Sequence, residues 1–209
     1  KFRILFELSP LGMAMIEHKT GKFLEVNQSL LNSSNYSKEE FLSLSFYDIT
    51  PNEYEEQEKQ QIKDLESTGK FGPNEKEYIK KDGTRYPIII SGFSFTDSNN
   101  KKVVWGIIED ITEKKQYEII YNDNKNLLEY IAIENSLQKV LDKIVNLAEK
   151  RNPEIICSIL LLDETKQHLF TGSAPSLPKF YNDAVNGVKI GEKVGSCGSA
   201  AYKKIRVIV

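Results

Sequence analysis

Two cysteines and two histidines are the only thiols and imidazoles in the 209 residues. Cys197 carries the sharper chemical signal, because Gly195-Ser196-Cys197-Gly198-Ser199-Ala200-Ala201-Tyr202 reads as a turn opening a helix. A helix N-terminus favours the thiolate and lowers a thiol pKa, which would make Cys197 a nucleophile. The other thiol, Cys157, lies on an expected strand of the apolar core. His18 ends a hairpin strand beside a turn, where a solvated or capping role is expected. No metal-spaced His/Cys/Asp cluster, phosphate-cradling loop or Ser-His-Asp set stands out. Residues 187–198 are Gly-rich without Gly-x-Gly-x-x-Gly or P-loop spacing and read as turns. No catalysis is expected of this chain, and no metal site.

Binding chemistry depends on the elements that bring side chains together. The chain is organised around Val103-Val104-Trp105-Gly106-Ile107-Ile108-Glu109-Asp110-Ile111-Thr112-Glu113-Lys114-Lys115. Its first six residues are β-branched, aromatic or Gly, as for a strand buried on both faces, and the charged run that follows predicts a helix. Asp110 and Glu113 have the spacing of a capping box, in which a side-chain oxygen takes an orphan helix N–H and the glutamate reaches back. A strand running straight into a helix is a place where a change in one domain can pass to the next.

The length predicts one or two domains, and 40% hydrophobic residues suffice for an ordinary core. With 28 basic and 30 acidic side chains the net charge is −2, so no excess field points to nucleic acid or an anionic membrane. Two cysteines in different segments make no disulfide framework and suit a reduced, cytoplasmic setting. No apolar run approaches the roughly 20 residues of a spanning helix and no signal peptide is visible, so no membrane insertion is expected. Lys1 starts inside an apolar-rich pattern and Ile205-Arg206-Val207-Ile208-Val209 stops within an expected strand, as in a piece of a longer protein.

Residues 1–11 predict a leading helix with Phe2, Leu5, Phe6 and, less regularly, Ile4 and Leu8 on one face. Residues 13–16 and 23–26 flank Lys19-Thr20-Gly21-Lys22, giving an antiparallel hairpin. Residues 27–35 and 38–44 read as short helices, the second capped by Ser37 with Glu40 three residues on. A longer helix over 53–67 has a thin apolar face of Tyr54, Ile62 and Leu65 and stops at Gly69. Strands over 74–80, 86–96 and from 103 follow, joined by turns at 81–84 and 97–100. Four pieces then stand in order: Glu25-Val26-Asn27, Tyr36-Ser37-Lys38-Glu39-Glu40-Phe41, Tyr78-Ile79-Lys80-Lys81-Asp82-Gly83-Thr84 and Asp110-Ile111-Thr112-Glu113. In these residues 12–112 resemble the PAS sensor family. The resemblance implies an α+β fold in which a five-stranded antiparallel sheet and flanking helices enclose a small-molecule cavity.

Strand alternation, set to the family's inward positions, turns Ile88, Ile90, Gly92 and Ser94, then Val104, Gly106 and Ile108, toward that cavity. Tyr36, Tyr78 and Ser94 are its expected polar contacts. Phe46 stands where flavin photosensors of the family carry the adduct cysteine, and Ile88 and Ile108 stand where their ring-edge amides would be, so that chemistry is excluded. Haem-binding members use a histidine on the long helix; residues 53–67 contain none, and the iron needs an axial ligand. The cofactor is left unknown, with a flavin that needs no cysteine still open. An apolar pocket with few polar groups suits a small organic ligand, and the same residues could also simply fill a core. The opposite parity, Ile89, Phe93, Phe95, Trp105 and Ile107, is also large and apolar and needs a cover from the leading helix or from that of a second subunit. A homodimer through Phe93, Phe95, Trp105 and Ile107 is expected.

Signal relay is expected through Asp110, Thr112 and Glu113 into a helix over 113–134. Tyr117, Ile120, Asn124, Leu127 and Ile131 alternate spacings of three and four, a heptad seam whose polar Asn would fix register. An amphipathic helix packed on its own domain satisfies the same pattern. Residues 135–209 predict a helix capped by Asn135, with Leu137, Val140, Leu141, Ile144, Val145 and Ala148 on one face. A strand over 155–162, a returning strand over 168–171 and a short helix around 180–186 follow. With Ser173-Ala174-Pro175-Ser176-Leu177-Pro178 and the Cys197 turn, this run resembles the first part of a GAF domain, a partial α/β sheet. The Cys197 turn also looks like that of GAF-type free methionine sulfoxide reductases, which is the enzymatic alternative; a PAS segment acting only in dimerisation is another. Together the resemblances imply a regulatory module of a bacterial-type signal-transduction protein. A ligand in the PAS cavity would act through the helix on the GAF part and on an output domain such as a diguanylate cyclase or histidine kinase.

Overall fold

The computed structural model describes residues 2–97 and 100–208, the side chain of Phe2 excepted; part of the turn expected at 97–100 lies outside the described residues. The chain forms two compact units, Lys1–Glu118 and Ile119–Val209.

In the first unit, α1 (Phe2–Leu8) leads into the hairpin of β1 (Gly12–Glu17) and β2 (Phe23–Val26), after which Asn27 starts α2 (Gln28–Ser34). Asn27 is fully buried and uses its whole amide: Oδ1 accepts from Met13 N at 2.9 Å and Leu30 N at 3.1 Å, and Nδ2 donates to the carbonyls of Phe6 and Leu11, both at 2.9 Å. One satisfied polar side chain thus fastens α1, β1 and α2. The capping box of Ser37 and Glu40 opens α3 (Lys38–Ser43). A single turn, α4 (Phe46–Ile49), and a 3₁₀ turn at Asn52–Tyr54 precede α5 (Glu55–Thr68). Tyr54 therefore falls outside the long helix expected from residue 53, its N–H held by Pro51 O in the tighter turn. Gly69, in the left-handed conformation, ends α5.

Strands β3 (Lys70–Ile79), β4 (Arg85–Thr96) and β5 (Lys102–Asp110) complete an antiparallel sheet of order β2-β1-β5-β4-β3. Central β5 is paired on both sides, with Ile108 opposite Gly12 and Ile90, and Gly106 opposite Ala14 and Gly92. On the outer face Phe6 of α1 covers Trp105, their ring centroids 5.3 Å apart. Trp105 is thereby buried within its own chain, which removes it from the surface expected to meet a second subunit. Phe93 and Phe95 stay exposed at 46% and 37%, and Ile107 is half-buried. Ile4, Leu5 and Leu8 point away from this contact and are exposed.

Only Ile111 separates the end of β5 from the start of helix α6 (Thr112–Ile133). The expected capping box is replaced by a shorter turn, in which Asp110 Oδ1 accepts from the N–H of Thr112 at 2.9 Å and from its hydroxyl at 2.6 Å. The helix begins at Thr112, so Asp110 lies one residue too early to pair with Glu113 in a box. No described residue of α6 is buried, and Tyr117, Ile120 and Ile131 are exposed.

In the second unit α7 (Leu137–Arg151) buries Leu141 and Val145. Arg151 Nη2 donates to Asn124 Oδ1 at 3.0 Å, so the seam asparagine is engaged inside the chain. Ser136, not Asn135, caps α7, because Glu134 holds the Ser136 N–H at 2.9 Å and turns its hydroxyl toward Lys139 N. A sheet of order β6-β7-β8 is built from β6 (Ile159–Leu162), β7 (His168–Ser173) and β8 (Val188–Lys189), with α8 (Lys179–Val185) and α9 (Gly195–Lys203) beside it in the chain. β8 falls in the Gly-rich run expected to be turns, where it pairs with His168 and Leu169. Cys157 precedes β6 instead of lying on it, its N–H held by Glu149 Oε1 at 2.9 Å rather than by a strand partner. No strand forms at 205–208, where no neighbouring strand takes up the backbone groups.

Candidate functional site

The inner face of the sheet divides into a filled end and a hollow end. At the filled end Leu30, Leu31 and Phe41 from α2 and α3 join Ile88 and Ile108 in the core. At the other end, between the sheet and α5, lies a cavity of about 320 Å³. Ile16, Phe46, Leu65, Phe71, Ile90 and Val104 give it apolar walls. Exposed Lys19, Tyr47 and Glu66 also line it, so it reaches the surface. Gly21 permits the close approach of Phe46 at this rim: a Cβ there would come within 2.7 Å of the Phe46 ring.

Its buried polar groups come from β3 and α5, with Glu17, His18 and Lys19 of the hairpin added toward the surface. Alternation along β3 turns Lys76 and Tyr78 inward together. On α5 the buried set is Glu58, Gln61 and Leu65, spaced i, i+3, i+7. Lys76 Nζ donates to Glu58 Oε1 in an ion pair whose side chains are 1% and 8% exposed. Lys76 Nζ also sits 5.1 Å from the centroid of the Tyr78 ring. Burial holds the Lys76 ammonium below its ordinary pKa, with Glu58 opposing. The Tyr78 hydroxyl is pushed well up by burial first and then by the charge of Glu58. Tyr78 meets Tyr86 edge-on at 6.3 Å, and the Tyr86 hydroxyl is raised by burial and by the charge of Asp110. On the other face of β3, Glu75 Oε1 holds Lys115 Nζ, in the first turns of α6, at 2.6 Å.

Of the residues expected to face the cavity, Phe46, Tyr78, Ile90 and Val104 line it. Ile88, Gly106 and Ile108 have the inward parity but lie in the closely packed part of the sheet, and Ser94 is half-buried beyond the lining. Tyr36 packs edge-on against Phe41 at 5.8 Å, away from the cavity. The lining is more polar than the aliphatic set expected: Glu58, Gln61 and Lys76 were not among the candidates, although strand parity with Tyr78 and the helix spacing to Leu65 both point to them. His18, expected to be solvated or capping, lines the cavity beside Lys19. Cys197 is exposed in the first turn of α9 and Cys157 is half-buried. Among the described residues no group of three or more His, Cys, Asp or Glu is arranged to hold a metal. No described helix is long and apolar enough to cross a membrane.

The PAS domain family model matches residues 10–113. Over 104 residues the chain is 41% identical to a methyl sulfide methyltransferase-associated sensor of Methanosarcina acetivorans, covering 50% of this chain and 10% of that protein. Over 120 residues it is 28% identical to the hybrid signal transduction protein dokA of Dictyostelium discoideum, covering 56% of this chain and 7% of that one. The chain thus spans a tenth or less of these relatives. Among solved structures, the PAS domain of a Colwellia psychrerythraea protein has 21% identity and a TM-score of 0.48, covering 54% of this chain and 95% of that one.

Proposed function

Residues 10–113 are a PAS domain with homologues in signal-transduction proteins, and from that premise we propose that the chain is a regulatory sensory module that binds a small organic ligand in the cavity beneath α5. The observation that carries this reading is the cavity itself, apolar-walled, open at one end and furnished with a few convergent polar groups. The relay would run along contiguous contacts. Glu75, on the back of the strand that carries Lys76 and Tyr78, holds Lys115 in the first turns of α6, and Asp110 at the end of β5 fixes the start of that helix through Thr112. A ligand acts through these only if it binds two arrangements of them with different affinity. In the same reading residues 12–112 sense, 113–134 form the signalling helix, and 135–209 are the first part of a GAF domain that passes the state to an output such as a diguanylate cyclase or histidine kinase. The segment itself is regulatory, not catalytic, and works as a homodimer in the cytoplasm.

Native mass spectrometry of the purified chain, with an absorbance spectrum, tests the ligand. A retained small molecule that is lost when Ile90→Trp fills the cavity is the expected result. An unliganded chain whose cavity amides do not move in NMR titrations with small organic fragments would sink the reading.

A further inference from the structure

We propose that α5 is a releasable lid, which leaves its seat on β3 while the rest of the first unit stays folded and so opens the cavity it covers. The use of that opening to admit a ligand rests on the ligand-binding role proposed above; the release itself does not. The other helices of the inner face are seated by apolar side chains, Leu30 and Leu31 from α2 and Phe41 from α3. The buried set of α5 is Glu58, Gln61 and Leu65, with one apolar member. The pair of Lys76 with Glu58 adds little net holding, because desolvation offsets most of its attraction. Two more polar atoms of this helix, Gln57 Oε1 and Gln61 Nε2, are shut from water and find no partner among the described residues. Each raises the free energy of the seated helix and is relieved once water reaches it. Packing on the other side is open as well. A second cavity of about 410 Å³ is lined by α5 together with Thr50, Pro51 and Asn52, and Tyr47, Glu58 and Ile62 line both cavities. Close contacts that would resist lifting are therefore few along this side of the helix. The hinge is Gly69. Its φ of 77° suits glycine, a Cβ there would meet only Ser94 Oγ at 4.0 Å, and Ser94 N–H donates to Gly69 O at 2.8 Å, which fixes the chain beyond it to β4.

Amide hydrogen exchange of the chain without added ligand, read by NMR, tests the lid. Once released, the fourteen residues of α5 are too few to stay helical, so release appears as exchange across 61–68. By length alone α5 should be better protected than α2, which has seven residues. The expected result is the reverse, with amides of 61–68 exchanging at least about tenfold faster than those of Leu31 and Asn35, which α2 holds on the Asn27 and Leu31 carbonyls. Gln61→Leu removes one unmatched amide and adds an apolar contact, so it should slow exchange in α5 about tenfold and leave α2 and β5 unchanged. Protection of α5 equal to that of α2 would overturn the lid and leave the ligand reading standing, and so would an α5 rate unmoved in Gln61→Leu. Fast exchange in a chain that retains no ligand and responds to none would keep the lid and sink the ligand reading. Should Gln61→Leu fail to fold, the comparison of α5 with α2 in the unmodified chain decides alone.

Discussion

Lys76 and Glu58 place opposite charges where water is nearly shut out. Such a pair is held by mutual need more than by net gain, since desolvation offsets most of the Coulomb attraction. Removing one partner is expected to cost about 3 kcal/mol in Lys76→Met or Glu58→Leu, whereas the double variant should lie within about 1 kcal/mol of the parent. Urea unfolding of the four proteins checks this, and near-additive losses would contradict it. His18 makes a second case at this scale. Partial burial, aided by Lys102 and opposed by Glu66, holds its pKa below the ordinary 6.5. The unfolded chain then takes the proton more readily than the folded one, so stability falls as pH drops through 6.5 and levels off below the folded pKa. Thermal melts should decline modestly between about pH 7 and about pH 5, above the range of ordinary carboxylates, and the decline should shrink in His18→Gln. An equal decline in the variant would refute the assignment.

Among the elements, the start of α6 has the most consequences for function. Asp110 satisfies two donors of Thr112, so Asp110→Ala is expected to loosen the first turn by about 1 kcal/mol and to speed amide exchange at residues 115–118 about fivefold. Glu75→Gln, at a half-exposed ion pair, should change global stability by less than about 0.5 kcal/mol. Unchanged exchange in Asp110→Ala would show the helix start is held elsewhere. The elements themselves were legible because their signals are local: Ser37 with Glu40, Gly69 as a stop, and the apolar run of β5. The site was legible by half. Parity found Ile90 and Val104 and the expected polar contacts included Tyr78, but Lys76 and Glu58 were not among the candidates, because the partnership that buries them spans 18 residues of sequence. A helix with a thin apolar face, set beside a strand carrying an inward lysine, is the trace such a pair leaves.

For the whole molecule, the two faces of the first unit's sheet have different fates. The inner one meets α2, α3, α5 and the cavity; the outer one keeps Phe93 and Phe95 in water after α1 has covered Trp105. That remainder is the surface proposed for a second copy. A charge at Trp105 would damage the fold before it tested assembly, so the informative change is Phe93→Glu with Phe95→Glu. It should weaken self-association by at least about tenfold in sedimentation while leaving the melting profile close to the parent's. An intact dimer in the double variant would exclude this face.

The sheet's borders carry a consequence of their own. One rim is β3, whose stretch Lys70-Phe71-Gly72-Pro73-Asn74-Glu75-Lys76-Glu77 combines a proline, a register break and alternating charge. The other rim is β2, four residues long and continued only by the isolated bridge of Lys22 to Ser45. Neither offers a clean row of free amides and carbonyls to a neighbour. Sheet-on-sheet annealing, the route to open-ended fibres, is disfavoured at both rims, which leaves the exposed Phe93 and Phe95 face as the place for the self-association proposed above.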